Sequence, residues 1–344
     1  MATPTDQATQ TKGVILSGMR PTGRLHLGNY LGALQNWVAL QQEYQCIYTV
    51  VDIHALTTLE SAQDVADIQP NISEMVLDWL AAGVDPEQST IFVQSQVPEV
   101  MMLHTLLSMV TPLGWLLRVP TFKDKVRQMD ETEESVNYGL VGYPVLQTAD
   151  IILYKADTVP VGQDQLPHLE LAREIVRRFN NHFGDTFPEP KAKLTEAPLI
   201  VGLEGQQKMS KTLDNHIDLA STPEETTKRV LTAFTDPQRT TRNIPGRPEV
   251  CNVYSLHKLF SSGEEVATVY DECTTAQRGC VDCKRHLAGN INQYLEPLRE
   301  RRREFEKRPD YVKQILDDGG KNVRAIARET IGEVYEKMGL GKYV

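Results

Sequence analysis

Near the front of the 344-residue chain, Pro21-Thr22-Gly23-Arg24-Leu25-His26-Leu27-Gly28-Asn29-Tyr30 places a histidine and two glycines where an apolar strand should turn into a helix. Gly18 and Gly23 allow a sharp turn and a close approach of backbone to a ligand. A helix opening near His26 presents free N–H groups and the positive end of its dipole, a ready anion site. His26 can donate to a phosphate oxygen, Gly28 removes a side chain where a flat base could lie, and Asn29 offers an amide to ribose or phosphate. An ordinary strand–helix turn with an exposed histidine would read the same way. Far downstream, Lys208-Met209-Ser210-Lys211-Thr212 gathers two cations and two hydroxyls next to Gly202-Leu203-Glu204-Gly205. When an α-phosphate is transferred, negative charge builds on the departing pyrophosphate. Fixed cations and donors placed there stabilise the transition state more than the ground state. A solvated lysine loop is the plain alternative, and it loses weight because of the partner segment. Phe122-Lys123-Asp124-Lys125 is a third basic element, from which Lys125 could reach a triphosphate or simply face solvent.

Four of the five cysteines, Cys251, Cys273, Cys280 and Cys283, follow the pattern Cys-x21-Cys-x6-Cys-x2-Cys. In a reducing compartment a disulfide framework is disfavoured, and a metal or cluster site becomes the better reading. Four thiolates suit zinc or a [4Fe–4S] cluster. Four unrelated buried thiols remain the plain alternative.

The elements that must position these groups follow from the apolar pattern. Residues 13–17, 46–51, 90–93 and 158–161 read as short buried strands. Residues 27–43 and 62–82 read as helices, and 98–154 as mainly helical. Leu169, Ala172, Val176 and Phe179 repeat at helical spacing. Strands alternating with helices imply an α/β fold, a doubly wound parallel sheet that binds ligands outside the carboxyl ends of its strands. Past residue 212 the strand signals fade. Helices are expected near 223–235, 253–260, 263–272, 284–308 and 321–338. The chain then divides into a tail (1–12), an α/β unit carrying the nucleotide chemistry (13–215) and an all-helical unit (216–344). Whether the last helices fold back on the first unit is left open.

Composition narrows the class. With Lys+Arg 36 and Asp+Glu 46, the net charge of −10 argues against general nucleic-acid binding but leaves room for a local basic face. Arg278, Lys284, Arg285 and His286 lie beside the cysteines. Arg299, Arg301, Arg302 and Arg303 extend that charge, diluted by Glu296, Glu300, Glu304 and Glu306 into what reads as a solvated helix. No run of about 18 apolar residues is present, so no membrane span is expected. The polar start lacks a leader pattern, and the protein is expected to be cytoplasmic.

The front segment and the lysine loop together resemble the paired signatures of the class I aminoacyl-tRNA synthetases. Tyr143-Pro144-Val145-Leu146-Gln147-Thr148-Ala149-Asp150-Ile151-Ile152-Leu153-Tyr154, Val159-Pro160-Val161-Gly162-Gln163-Asp164-Gln165-Leu166-Pro167-His168-Leu169-Glu170-Leu171 and Val51-Asp52-Ile53-His54-Ala55-Leu56-Thr57-Thr58 are similar to tryptophanyl-tRNA synthetases. The resemblance covers nearly the whole chain after the tail. It implies a Rossmann-like catalytic domain followed by a helical anticodon-binding domain. It further implies activation of L-tryptophan by ATP with Mg2+ to Trp-AMP and pyrophosphate, then transfer to tRNA(Trp), in a homodimer. Residue by residue, it makes Asp150 the acceptor of the indole N–H. Tyr143 and Gln165 hold the α-amino group, and His54, Val159 and Val161 line the ring pocket. Arg20, Thr22, Gly28, Asn29, Asp164, Lys208, Met209, Ser210 and Lys211 surround ATP. His26, Asn29, Lys125, Lys208, Ser210 and Lys211 are the catalytic candidates.

An indole has one donor and no acceptor, so a buried carboxylate suits it, and a side chain lacking that donor would leave the carboxylate unpaired. Gln147 stands where the commonest bacterial members have Met, and Arg20 where they have Gln. Tyrosyl relatives use a Gln like Gln147, but they place a Tyr at the position of Leu16. Arg278-Gly279-Cys280-Val281-Asp282-Cys283-Lys284-Arg285 resembles a subgroup with an iron–sulfur cluster in the anticodon-binding domain. That implies a [4Fe–4S] cluster on the four cysteines, with Zn2+ the alternative. Rival readings are a tyrosyl enzyme of the same fold, a small-molecule adenylyltransferase, and a non-catalytic RNA-binding paralogue.

Overall fold

The computed structural model describes residues 12–58, 61–128, 132, 135–194 and 200–341. Residues 1–11 of the expected tail lie outside them. Five strands, β1 (Val14–Met19), β2 (Gln45–Val50), β3 (Ser89–Val93), β4 (Thr158–Val161) and β5 (Lys191–Leu194), form one sheet in the order β3-β2-β1-β4-β5. All pairings are parallel. Strand order reverses at β1, so the crevice above the carboxyl ends of β1 and β4 is the switch point of a doubly wound sheet. The side-chain period of two explains why these strands read as unbroken apolar runs. Ile15, Tyr48, Val50, Ile91 and Val93 enter one core. Their neighbours Leu16, Ile47 and Phe92 enter the other, with Val159 and Val161.

β5 was not expected. Its sequence Lys-Ala-Lys-Leu alternates polar and apolar, but over only four residues and with no β-branched or aromatic side chain, and it is an edge strand with two lysines. Such charges guard an edge against further pairing.

The helical expectations beyond residue 212 are met at 223–231, 252–260 and 263–274. Helix Cys280–Glu306 follows. The final helix, Pro309–Lys337, begins a dozen residues before the expected start. Gly319 and Gly320 resemble a break in sequence, yet they sit inside this helix for a packing reason. A Cβ on Gly319 would lie 2.0 Å from the carbonyl oxygen of Ile91 in β3. The glycines let the helix lie directly on the edge strand, and the question of fold-back is answered: Val323, Ala327, Ile331 and Val334 join the core beneath the sheet. Because the obstacle is backbone, Gly319→Ala should lower stability by about 1–3 kcal/mol, read as a lower urea midpoint at constant slope. An unchanged midpoint would mean that the helix is not seated this closely.

The arginine run is corrected by the structure. Arg299 and Arg302 are buried, not solvated. Arg302 bonds Asp78 Oδ1 at 2.5 Å, Glu74 Oε2 at 2.7 Å and Glu306 Oε1 at 3.0 Å. Arg299 bonds Thr226 Oγ1 at 2.7 Å, and Arg301 donates to the carbonyl oxygen of Ala81 at 2.6 Å. These residues clasp the 280–306 helix to its neighbours, and helix Ile68–Ala82 of the α/β unit receives most of the contacts.

Candidate functional site

Above the carboxyl ends of β1 and β4 lies a cavity of about 660 Å³. Its floor comes from Leu16, Ser17 and Gly18 of β1 and from Val159 and Val161 of β4. One wall is helix Tyr138–Leu153, opened by Asn137, whose side chain accepts from the Leu140 N–H. Tyr143, Gln147 and Asp150 are spaced four and three residues apart, which brings them to one face of that helix, and all three line the cavity. His54, Gln165, Arg20 and Lys125 complete it.

Asp150 is buried, and Gln94 Nε2 donates to both of its carboxylate oxygens at 2.8 Å. Burial raises the Asp150 carboxyl to about 7; the Gln94 hydrogen bonds oppose this and the charge of Asp52 adds to it. Tyr143 Oη, Thr121 Oγ1 and His168 Nε2 form a triangle with sides of 2.7–2.8 Å. The triangle fixes the phenol at the cavity wall. The His54 ring meets Tyr143 edge-on at 5.6 Å. Burial, helped by Arg20 and His168, holds His54 down at about 4, so it is a neutral wall and not a cation. Arg20 Nη1 donates to Thr58 Oγ1 at 3.0 Å, at the cavity mouth. Gln165 Nε2 donates to Asp164 Oδ2 at 2.8 Å.

Thr22, His26, Gly28, Asn29, Asp164 and residues 208–211 do not line this cavity. All but Asp164 meet in a second assembly, where the front turn and the lysine loop touch. Gly23 sits at φ +85°, a conformation that glycine adopts without strain. Leu27 N–H donates to the carbonyl oxygen of Ile217 at 2.9 Å, and Leu219 N–H to that of Leu25 at 2.8 Å. Lys211 Nζ reaches the carbonyl oxygen of Thr22 at 2.8 Å. Asn29 Oδ1 accepts from the His26 N–H at 3.1 Å, so its amide shapes the turn. Met209 turns inward and is buried, packing beneath Gly28 and anchoring the loop. Asn215 Oδ1 accepts from the Ser210 N–H at 2.7 Å.

His26 is held at about 4 by burial, with His216, Lys211 and Lys208 adding to the effect. Its ring is therefore neutral near pH 7 and donates through one nitrogen. Asp78 Oδ2 accepts from the Leu25 N–H at 2.6 Å, one residue before His26. Sequence reading missed Asp78 and Gln94. Both are buried polar residues in otherwise apolar stretches, and that mismatch was the available signal.

The four thiols converge. Cys251 precedes helix Asn252–Phe260, Cys273 lies in the last turn of helix Gly263–Thr274, and Cys280 and Cys283 open helix Cys280–Glu306. All four are free and partly buried. Burial, with the charges of the other three, pushes the Cys283 thiol up to about 12. Arg239 Nη1 lies 3.6 Å from Cys273 Sγ and 3.9 Å from Cys280 Sγ, and His257 Nε2 3.5 Å from Cys283 Sγ. Among the described residues, no group of three His, Cys, Asp or Glu is arranged to hold a metal ion.

Comparison with known proteins identifies the family. The family model described as tRNA synthetases class I (W and Y) matches residues 8–296. A tryptophan–tRNA ligase of Thermotoga maritima is 45% identical over 328 residues, covering 95% of this chain and 99% of that protein. One from Deinococcus radiodurans is 45% identical over 331 residues with the same coverage. A tryptophanyl-tRNA synthetase from Campylobacter jejuni, solved with ADP and tryptophan, superposes with a TM-score of 0.85 at 35% identity, covering 95% of this chain and all of the other. On the extent of these matches and the shared architecture, the chain belongs to the class I tryptophanyl-tRNA synthetases.

Proposed function

We propose that the chain activates L-tryptophan with Mg·ATP, releasing pyrophosphate, and passes the tryptophanyl group to tRNA(Trp). The observation that carries the substrate is Asp150, a buried carboxylate lining a cavity with no cation bonded to it among the described residues. It accepts the indole N–H, while Tyr143 and Gln165 hold the α-amino group. The tryptophan carboxylate attacks the α-phosphorus, a bond forms to its oxygen, and the bond to the β-phosphate bridge breaks. His26, Lys208, Ser210 and Lys211 stabilise the charge that leaves with pyrophosphate. No side chain forms a covalent intermediate, and positioning supplies the rest. Lys125, at the cavity rim, reaches the phosphates from the other side. The 13–215 unit carries this chemistry, and the helices between 223 and 306 meet the anticodon, the final helix Pro309–Lys337 belonging with the sheet it packs on.

The test is ATP–pyrophosphate exchange on anaerobically purified protein, offering tryptophan and tyrosine separately. Exchange with tyrosine alone would sink the reading. Leu16 argues against that outcome, because it lines the cavity floor with no group to pair a phenol hydroxyl. The Asp150 ionisation sets a pH profile. The ionised form is the better acceptor, so kcat/KM for tryptophan should fall as pH drops below about 7, by up to about tenfold per unit. Asp150→Asn should flatten the profile at a low value. A wild-type profile flat between pH 6 and 8 would exclude this role.

The gathering of four thiols supports a [4Fe–4S] cluster on Cys251, Cys273, Cys280 and Cys283. Four thiolates suit zinc as well as a cluster, so metal content is what decides between them. When bound the cluster would staple three helices of the helical unit, a structural task. Cys283→Ser should abolish iron content and visible absorption of anaerobic protein while leaving tryptophan-dependent exchange largely intact. Zinc at one equivalent in the wild type would replace the cluster reading. Met101, Met102, Met109, Leu113 and Tyr138, on and near helix Glu99–Ser108, are exposed large apolar residues, which supports a homodimer. Among the described residues no helix is long and apolar enough to cross a membrane, which is consistent with a cytoplasmic enzyme.

A further inference from the structure

Asp150 is an unusual group: a buried carboxylate that, among the described residues, has no arginine or lysine bonded to it. Such a group protonates or moves unless hydrogen bonds hold it. Its one side-chain hydrogen-bond partner among the described residues is Gln94. Gln94 lies in the short turn Gln94–Gln96 that follows β3, is completely buried, and is not part of the cavity wall. Its orientation is over-determined. The His54 N–H donates to Gln94 Oε1 at 3.1 Å, which forces Nε2 toward Asp150 and forbids the flipped amide. The turn itself is fixed by Asp52 Oδ1, which accepts from the Ser95 N–H at 3.0 Å, and by Gln96 Oε1, which accepts from the Val93 N–H at 3.0 Å.

We propose that Gln94 is a positioning residue for substrate choice: it holds Asp150 in place and as a hydrogen-bond acceptor, so that the free edge of the carboxylate can only be satisfied by an indole N–H. The inference rests on the reading that Asp150 faces the indole. A carboxylate offers about four acceptor sites. Gln94 covers the side away from the cavity, and the substrate must supply the rest. Without that backing, Asp150 takes up a proton or turns away, and the site no longer distinguishes an N–H from a group that lacks one. Gln94 also ties its backbone partner His54, a wall of the ring pocket, to the same carboxylate.

The experiment uses the full-length protein, two variants and two substrates. Gln94→Glu keeps the size and replaces the donor with an acceptor; Gln94→Met keeps the approximate volume and removes hydrogen bonding. Exchange is measured with tryptophan and with β-(3-benzothienyl)alanine, an isostere in which sulfur replaces the indole N–H. Wild type should prefer tryptophan strongly. In both variants kcat/KM for tryptophan should fall about 10- to 100-fold, mainly through KM. For the isostere it should change less than about threefold, on the same grounds, so that the preference collapses. The KM for ATP should stay constant. Parallel losses for both substrates would reduce Gln94 to a packing residue and overturn the proposal, as would unchanged discrimination. If wild type itself fails to prefer tryptophan over the isostere, the Asp150 reading fails first, and the two failures are told apart. Should Gln94→Glu not fold, Gln94→Met alone decides.

Discussion

Lys211→Ala should lower the rate of ATP–pyrophosphate exchange at saturating substrates by about 10²- to 10³-fold, the usual consequence of deleting one preorganised donor to a developing charge. Tryptophan affinity, measured by equilibrium binding without ATP, should stay within about threefold of wild type, because Lys211 is not on the wall of the cavity. The geometry explains why the effect falls on the rate. Lys211 Nζ is bonded to the carbonyl oxygen of Thr22, so the cation is held against the front turn, at the end of the helix opened by His26. Burial pulls its pKa down, and Asp218 and Asp78 push back and keep the charge. A charge fixed in this way needs no reorganisation when pyrophosphate departs. Equal losses in rate and tryptophan affinity would instead make Lys211 a clasp for the turn and nothing more.

The largest effect on stability should come from Asp78→Ala. Asp78 is wholly buried and joins three things: the guanidinium of Arg302, the backbone of Leu25, and helix Ile68–Ala82 on which it sits. Burial raises its carboxyl to about 6 even with Arg302 against it. Deleting it leaves Arg302 buried without its closest counter-charge, a loss of about 3–5 kcal/mol. The urea midpoint should fall accordingly. The double variant Asp78→Ala/Arg302→Met should recover much of the loss, because it removes the stranded charge. Recovery of stability without recovery of exchange would show that the carboxylate also shapes the front turn through Leu25. If Asp78→Ala unfolds at the wild-type midpoint, the buried pair contributes nothing to stability.

The parts of this enzyme that could be read from its sequence share a property: their chemistry depends on neighbours in the chain. The front turn is a run of glycines and a histidine after an apolar strand, and the lysine loop is five consecutive residues. Cys280 and Cys283 flag the thiol site by themselves. The cavity wall of Tyr143, Gln147 and Asp150 needed resemblance as well, since the helix around it is apolar on all sides and periodicity alone could not say which face was open. What escaped was decided by partners far away. Arg302 reads as part of a solvated run, but it continues the stripe Ile291, Leu295 and Leu298 at helical spacing, and Asp78 lies on a different helix. Gln94 follows the apolar strand β3, and its polarity there marks it as unusual but does not name its partner, Asp150, 56 residues on. β5 alternates polar and apolar over only four residues, too short a run to stand out from a loop.

The final helix, Pro309–Lys337, lies on strand β3, with Gly319 against Ile91 and with Arg324 and Arg328 paired to the buried Glu99. On the ribosome that arrangement imposes an order of events. β3 and the core under it emerge early and stay uncovered while some two hundred further residues are added. An open edge and a bare apolar face are the features that recruit chaperones and favour misassembly. The catalytic sheet can therefore close only after residues 309–337 have cleared the exit tunnel. A nascent chain stalled before that point would present both aminoacylation signatures on an unfinished platform.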